Sequence, residues 1–150
     1  MREVMTKSMA RNIFYGGSLF FIVVFVGLTA HSHLYITSKS TNHEGITESV
    51  ALGKRVWEAK TCINCHSIMG EGAYFAPELA NVMTRWGVAD DPEAAFETLK
   101  AWMQAMPTGV EGRRQMPFYD LTDEEYRALS DWLIWVDEID AQGWPPNDAG

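Results

Sequence analysis

Cysteine is scarce in this sequence, since its 150 residues contain only Cys62 and Cys65. The two-residue gap between them would close a small and strained ring in a disulfide. A redox dithiol would need a βαβ context, which the sequence does not show. A zinc site would need a fourth ligand at a usual spacing. The cysteine pair therefore has to be explained together with the residue that follows it.

Basic residues are also in short supply. Twelve lysines and arginines stand against 20 acidic residues, which gives a formal net charge of −8. This sign of charge disfavours nucleic-acid binding. From Asp120 onward Arg127 is the one basic residue, among nine acids. This stretch is either a solvated acidic face or a surface that steers a basic partner, and the sequence leaves both interpretations open.

Alternating strand patterns and internal repeats are absent, and apolar residues recur instead at helical spacing. The last predicted helix begins at Thr122, because Thr122 and Glu125 form a capping box, and Gly143 with residues 145–146 would end it. Gly53 on the first of these helices would allow another helix to approach closely. The predicted helices cover residues 48–59, 77–86 with Pro77 at the first position, 92–106 after Asp91 as N-cap, and 122 onward. The sequence therefore predicts a small all-α domain over residues 48–150.

Residues 62–66 read Cys-Ile-Asn-Cys-His, which is the C-x-x-C-H pattern of c-type haem attachment. In this pattern Cys62 and Cys65 form thioethers to the two haem vinyl groups. His66 binds the iron as the proximal ligand. The motif predicts one covalently bound haem c.

The second axial ligand has to come from the opposite wall of the haem cleft. Among the methionines that follow the motif, Met116 lies before Pro117 in a loop over residues 107–120, where it can reach the iron. Met106 is the rival, although it ends an amphipathic helix. A haem sensor with an open sixth position is a third alternative. Ligation by His66 and Met116 would leave no vacant coordination site, so the chain would pass electrons and would not itself be a catalyst.

An apolar segment precedes the haem motif. Residues 13–30 carry no charge, and a helix of this length spans roughly 27 Å, close to a hydrocarbon core of about 30 Å. We predict a transmembrane anchor over residues 12–34, followed by a linker over 35–47. Arg2, Lys7 and Arg11 place residues 1–11 in the cytoplasm and the haem domain outside it. The alternative is a signal peptide cleaved near Ala30.

Five segments in this order resemble the cytochrome c subunit of bacterial nitric oxide reductase. They are residues 9–13, the haem motif, and residues 70–79, 112–117 and 144–147. The resemblance implies a class I-like monohaem cytochrome c domain in the periplasm, held at the bacterial inner membrane by a single-pass helix. It also implies Cys62 and Cys65 as attachment sites, and His66 and Met116 as axial ligands.

The resemblance further implies a partner, a donor and a second metal. The partner is a large membrane catalytic subunit with a haem b and a haem/non-haem iron centre. The implied reaction is 2 NO + 2 e⁻ + 2 H⁺ → N₂O + H₂O. The implied donor is a soluble cytochrome c or a cupredoxin. The loop around Gly72 and Tyr74 would lie near an interfacial calcium ion.

Two questions stay open at this point. Arg113 and Arg114 flank Met116 and would pair with haem propionates or an acidic partner, unless they are simply solvated. The chain could also be a free-standing, membrane-anchored cytochrome c that shuttles electrons between respiratory complexes. The linker is neither long nor rich in glycine and serine, which favours fixed docking.

Overall fold

The computed structural model describes residues 5–144, which divide into one unit ending at Lys39 and a second beginning at Ser40. The first unit is a single helix, α1 (Lys7–Tyr35), in which no residue is buried. The Thr6 side chain caps it by accepting a hydrogen bond from the Met9 N–H at 3.2 Å. Among the described residues this is the one helix with the length and hydropathy to cross a membrane.

The predicted anchor over residues 12–34 lies inside α1, so the expected helix is confirmed. The helix continues as one π-helical turn, Ile36–Ser40, where the sequence predicted linker. Arg2, used in the orientation argument, lies outside the described residues, as do residues 145–147.

The second unit contains four helices in the order α2 (Glu48–Ala59), α3 (Val82–Trp86), α4 (Pro92–Gln104) and α5 (Asp123–Asp137). The principal contact is between α2 and α5, and α4 and α3 also pack against α5. Their buried faces form one core. The all-α prediction for this unit is confirmed, with one small addition described below.

Local capping signals set where the helices begin. The Thr47 hydroxyl accepts from the Val50 N–H, and α2 begins and ends where the sequence predicted. Asp91 caps α4, with Pro92 at its first position. Thr122 begins α5 through the predicted capping box. These starts were predictable because each depends on residues within one turn of the helix end.

The α2–α5 crossing explains the glycine in α2. A Cβ atom placed on Gly53 would lie 2.0 Å from the Ala128 carbonyl oxygen and 2.6 Å from Trp132 Cβ. Only a residue without a side chain allows the two backbones to approach this closely. Trp57, one turn further along α2, then packs on Trp132 with ring centroids 5.2 Å apart.

Three predicted boundaries are wrong. The third helix begins at Val82 rather than at Pro77, and residues 77–79 have no regular structure. The fourth helix ends at Gln104, short of Met106. The last helix ends at Asp137, before the Gly143 signal. In each case long-range contacts within the unit compete with the local sequence pattern.

A two-residue hairpin was not predicted. β1 (Ser67–Ile68) pairs antiparallel with β2 (Glu71–Gly72). The two connecting residues, Met69 and Gly70, have φ angles of 52° and 82°. Positive φ at both central positions is the geometry of a type I′ turn. The glycine-rich stretch therefore reverses the chain directly after the haem motif.

The segment before α2 packs on its own domain. The Asp140 N–H donates to the Ser40 carbonyl at 3.0 Å. The Trp135 indole N–H donates to the Asn42 carbonyl at 2.8 Å, and the Asn42 amide reaches Glu138 at 3.1 Å. The latter part of the predicted linker is therefore fixed against the end of α5.

Candidate functional site

The C-x-x-C-H motif follows α2 directly and forms a tight turn. Thr61 adopts a left-handed conformation with φ of 57°, and a 3₁₀ turn spans Cys62–Asn64. The backbone N–H groups of Cys65 and His66 both donate to the Cys62 carbonyl, at 3.1 and 2.9 Å. This turn brings both thiols and the imidazole to the wall of one cavity.

The cavity has a volume of about 760 Å³, within the usual range for small-molecule and cofactor sites. The motif forms one wall, and the loop containing Met116 forms part of the rest. A smaller cavity of about 60 Å³ shares Cys62, His66 and Met116 with it. Residues from α3 and α4 complete the lining of the larger cavity, including Val82, Trp86 and Trp102.

The imidazole of His66 is oriented by its own chain. Its Nδ1 lies 2.8 Å from the Pro77 carbonyl oxygen, which can only accept. Nδ1 therefore carries the proton, and Nε2 keeps its lone pair free. Burial lowers the pKa of His66 and outweighs the opposing effects of the Pro77 carbonyl and Glu78. A neutral imidazole with a free Nε2 is the form that binds a metal.

The two thiols are free and are not joined by a disulfide. Cys62 is buried, and burial is the main cause that raises its pKa to about 11. Cys65 is half-buried. Cys62 is therefore a neutral thiol in an apolar wall, which argues against a redox dithiol built on a stabilised thiolate.

Met116 is half-buried and lines both cavities together with His66. Met106, the rival, is buried and lines only the larger one. Gln115, which the sequence pattern did not single out, holds this loop. Its Oε1 accepts from the Thr108 N–H and hydroxyl, both at 2.9 Å, and its Nε2 donates to the Val110 carbonyl at 2.9 Å.

Arg113 and Arg114 are both exposed at the rim of the cavity. The Arg114 guanidinium donates to the Phe75 carbonyl and lies 5.1 Å from the centroid of the Phe75 ring. This contact ties the Met116 loop to the loop after the haem motif. Arg114 is therefore engaged with protein atoms, whereas the Arg113 side chain is exposed.

Glu78 is a buried carboxylate that was not predicted from the sequence. It is only 4 % exposed and accepts hydrogen bonds from the backbone N–H groups of Met69, Gly70 and Ala80 at 2.8–3.1 Å. Burial alone would raise the pKa of Glu78, but hydrogen bonding to the carboxylate lowers it overall. An acid inside the apolar run Ala-Pro-Glu-Leu was the available signal.

The two residues expected near calcium lie on the hairpin and the turn after it. A Cβ on Gly72 would lie 2.3 Å from the His66 carbonyl oxygen, so this position requires glycine. Tyr74 is 68 % exposed, and its hydroxyl donates to the Gly70 carbonyl at 3.1 Å. Over residues 5–144 no group of three or more His, Cys, Asp or Glu side chains is arranged to hold a metal ion.

Comparison with known proteins identifies the family. The family model for cytochrome c matches residues 50–137. The cytochrome c subunit of nitric oxide reductase from Paracoccus denitrificans is 65 % identical over 150 residues, with full coverage of both chains. The chain belongs to this nitric oxide reductase family of cytochrome c subunits. The members from Cereibacter sphaeroides and Stutzerimonas stutzeri are 64 % and 48 % identical, again over the full length of both chains.

A cytochrome c domain binds haem c, and the residues of this family member fit that group. The cavity joins both motif cysteines to a neutral, oriented His66. Its wall also contains a buried guanidinium nitrogen, Nη1 of Arg85, without a hydrogen-bond partner. A site of this size with a metal-binding imidazole and an unsatisfied cationic donor suits a macrocycle that carries both iron and carboxylates.

Proposed function

We propose that this chain is the electron-transfer subunit of a nitric oxide reductase. It would accept electrons from a soluble periplasmic donor and pass them to haem b of the catalytic subunit, which performs 2 NO + 2 e⁻ + 2 H⁺ → N₂O + H₂O. The observation that carries the proposal is the full-length identity to the cytochrome c subunit of the Paracoccus denitrificans reductase. The chain itself would not be catalytic.

The ligand assignment gives each site residue a role. Cys62 and Cys65 hold one haem c covalently, and His66 and Met116 occupy the two axial positions of its iron. With both axial positions filled, the haem exchanges single electrons and offers no site for nitric oxide. The hydrogen bond to Pro77 supports the His66 assignment, and the shared lining of both cavities supports Met116.

The remaining residues of the site hold these ligands in place. Gln115 fixes the loop that carries Met116, so the thioether approaches with little freedom to lose. Trp57 packs beside the His66 ring, with centroids 6.3 Å apart, and limits its rotation. Apolar residues dominate the inner wall and exclude water from the iron, which favours the reduced state of the haem.

The orientation and partners follow from charge. We propose that the basic residues before α1 keep the amino terminus in the cytoplasm and that the haem domain lies in the periplasm. The acid-rich first turn of α5 would steer a positively charged cytochrome c or cupredoxin. The calcium ion stays a proposal, with Gly72 and Tyr74 as its neighbours at the interface with the partner.

Purification in mild detergent tests the proposal. We expect a large haem b protein to elute with the tagged full-length chain, and the complex to reduce nitric oxide with a reduced donor. A His66→Ala variant is the matched control, since it should bind the partner while losing electron transfer. Elution of the haem-loaded chain alone, under conditions that preserve other membrane complexes, would instead support the free-standing shuttle.

A further inference from the structure

Buried polar atoms without partners point to an unassigned function for one cavity residue. In the described part of the chain four buried side-chain polar atoms lack a hydrogen-bond partner, namely Ser67 Oγ, Asn81 Oδ1, Arg85 Nη1 and Ser130 Oγ. Arg85 alone among the four lines the 760 Å³ cavity. It is also the only one of them that carries a charge. The sequence pattern assigns Arg85 no role.

The position of this guanidinium is fixed. Arg85 lies in α3, and its Nη2 donates to the Glu78 carbonyl at 2.6 Å. The Glu78 side chain is itself held by three backbone N–H groups, so the acceptor is part of a rigid loop. Nη1 therefore stays buried at the cavity wall.

No counter-charge from the described residues satisfies Arg85. None of the ion pairs within residues 5–144 includes it. A buried cation without a partner is costly, so such groups are normally paired. The planar guanidinium is best matched by a carboxylate or phosphate. The cavity wall thus presents a built site for an anionic oxygen.

We propose that Arg85 is the counter-ion of a haem propionate, the carboxylate that a haem in this cavity would bring. The proposal rests on the haem site of the proposed function. It replaces the expectation that Arg113 and Arg114 have this role. Arg114 already donates to the Phe75 carbonyl, and Arg113 is exposed, where water screens its charge. Arg85 acts as a positioning residue that also supplies positive charge near the iron.

Redox titration of the full-length, haem-loaded chain tests this assignment. Removing a nearby positive charge stabilises the ferric state. We expect Arg85→Met to shift the reduction equilibrium about tenfold toward the oxidised form, which is about 59 mV for one electron. Arg85→Lys, which keeps the charge, should restore more than about half of this shift. Arg113→Met is the matched control and should change the potential much less, since water screens the charge it removes.

Two outcomes of the titration would overturn the assignment. One is an unchanged potential in Arg85→Met. The other is an equal loss in Arg85→Met and Arg85→Lys, which would mean that only the contact with Glu78 matters. Haem content and co-elution with the catalytic partner are measured on the same samples. Those two readouts decide the proposed function independently of the potential.

A second measurement needs no substitution, in case the Arg85 variants do not accumulate. The wild-type ferrous protein, labelled with ¹⁵N-arginine in a detergent micelle, should show a nuclear Overhauser effect between an arginine guanidinium and the propionate methylene protons. An effect to the Arg85 signal supports the proposal. An effect only to Arg113 or Arg114, or none at all, refutes it.

Discussion

The substitution Gly53→Ala tests whether the close crossing of α2 and α5 holds the haem domain together. The added Cβ would lie 2.0 Å from the Ala128 carbonyl oxygen, against ordinary contact distances of 3.4–4 Å. The obstructing atoms include backbone of α5, which cannot rotate away as a flexible side chain would. The two helices therefore have to separate by more than about 1 Å, at the level of Trp57 and Trp132.

The magnitude follows from two opposing effects. Overpacking of a core costs about 1–3 kcal/mol, and backbone obstruction favours the upper end of that range. Replacing glycine by alanine inside a helix returns about 1 kcal/mol through propensity. We therefore expect a net loss of about 2 kcal/mol in the free energy of unfolding. For a domain of this size that lowers the midpoint temperature by roughly 8 °C.

Denaturant and thermal unfolding of the full-length chain, followed by circular dichroism, measure this loss. Lys54→Ala is the matched control on the next residue of α2. Its side chain is exposed and pairs with Glu58 at 3.6 Å, so its removal should cost no more than about 0.5 kcal/mol. If Gly53→Ala unfolds as the control does, the close crossing does not contribute to stability as argued.

Three further outcomes are expected. Met116→Ala should abolish the weak far-red absorption band of thioether-ligated ferric haem while Met106→Ala retains it; the reverse pattern would move the ligand to Met106. Glu78 has a lowered pKa, so its contribution to stability is fully present above about pH 4.5 and is lost as pH falls through its folded-state pKa. Glu78→Gln should therefore be less stable than wild type by about 1–3 kcal/mol at neutral pH, and the gap should narrow in denaturant titrations at about pH 3. Donor reduction rates should fall with ionic strength as screening shortens from about 10 Å at 0.1 M salt, and rates that ignore salt would remove the steering argument.

The parts of the fold that were predictable depend on short-range chemistry. Thr47, Asp91 and Thr122 each cap a helix through atoms within one turn, so their sequence context was sufficient. Pro77 resembles the same kind of signal, but its carbonyl accepts from His66 and its segment stays irregular. The end of α5 likewise depends on Asp140 bonding to Ser40, 100 residues away. Local patterns cannot report such pairings.

The candidate site divides in the same way. The C-x-x-C-H motif was recognisable because all three functional side chains lie within five residues. Glu78 and Arg85 were missed because their importance lies in burial, which is set by α3 packing over the loop after the motif. Gln115 was missed since its three hydrogen bonds join backbone and side-chain groups of one exposed loop. These residues hold the site in place, and spacing alone does not reveal them.

The segment from Ser40 to Gly45 determines where the haem domain can be cut. The Trp135 indole N–H and the Glu138 carboxylate both bond to Asn42, and Ser40 bonds to Asp140. A soluble fragment that starts at Glu48, the first residue of α2, would leave these groups without partners and expose the side of α5 they cover. A fragment starting at Ser40 keeps them. For protein production without the membrane helix, the natural boundary of the domain therefore lies eight residues before its first helix.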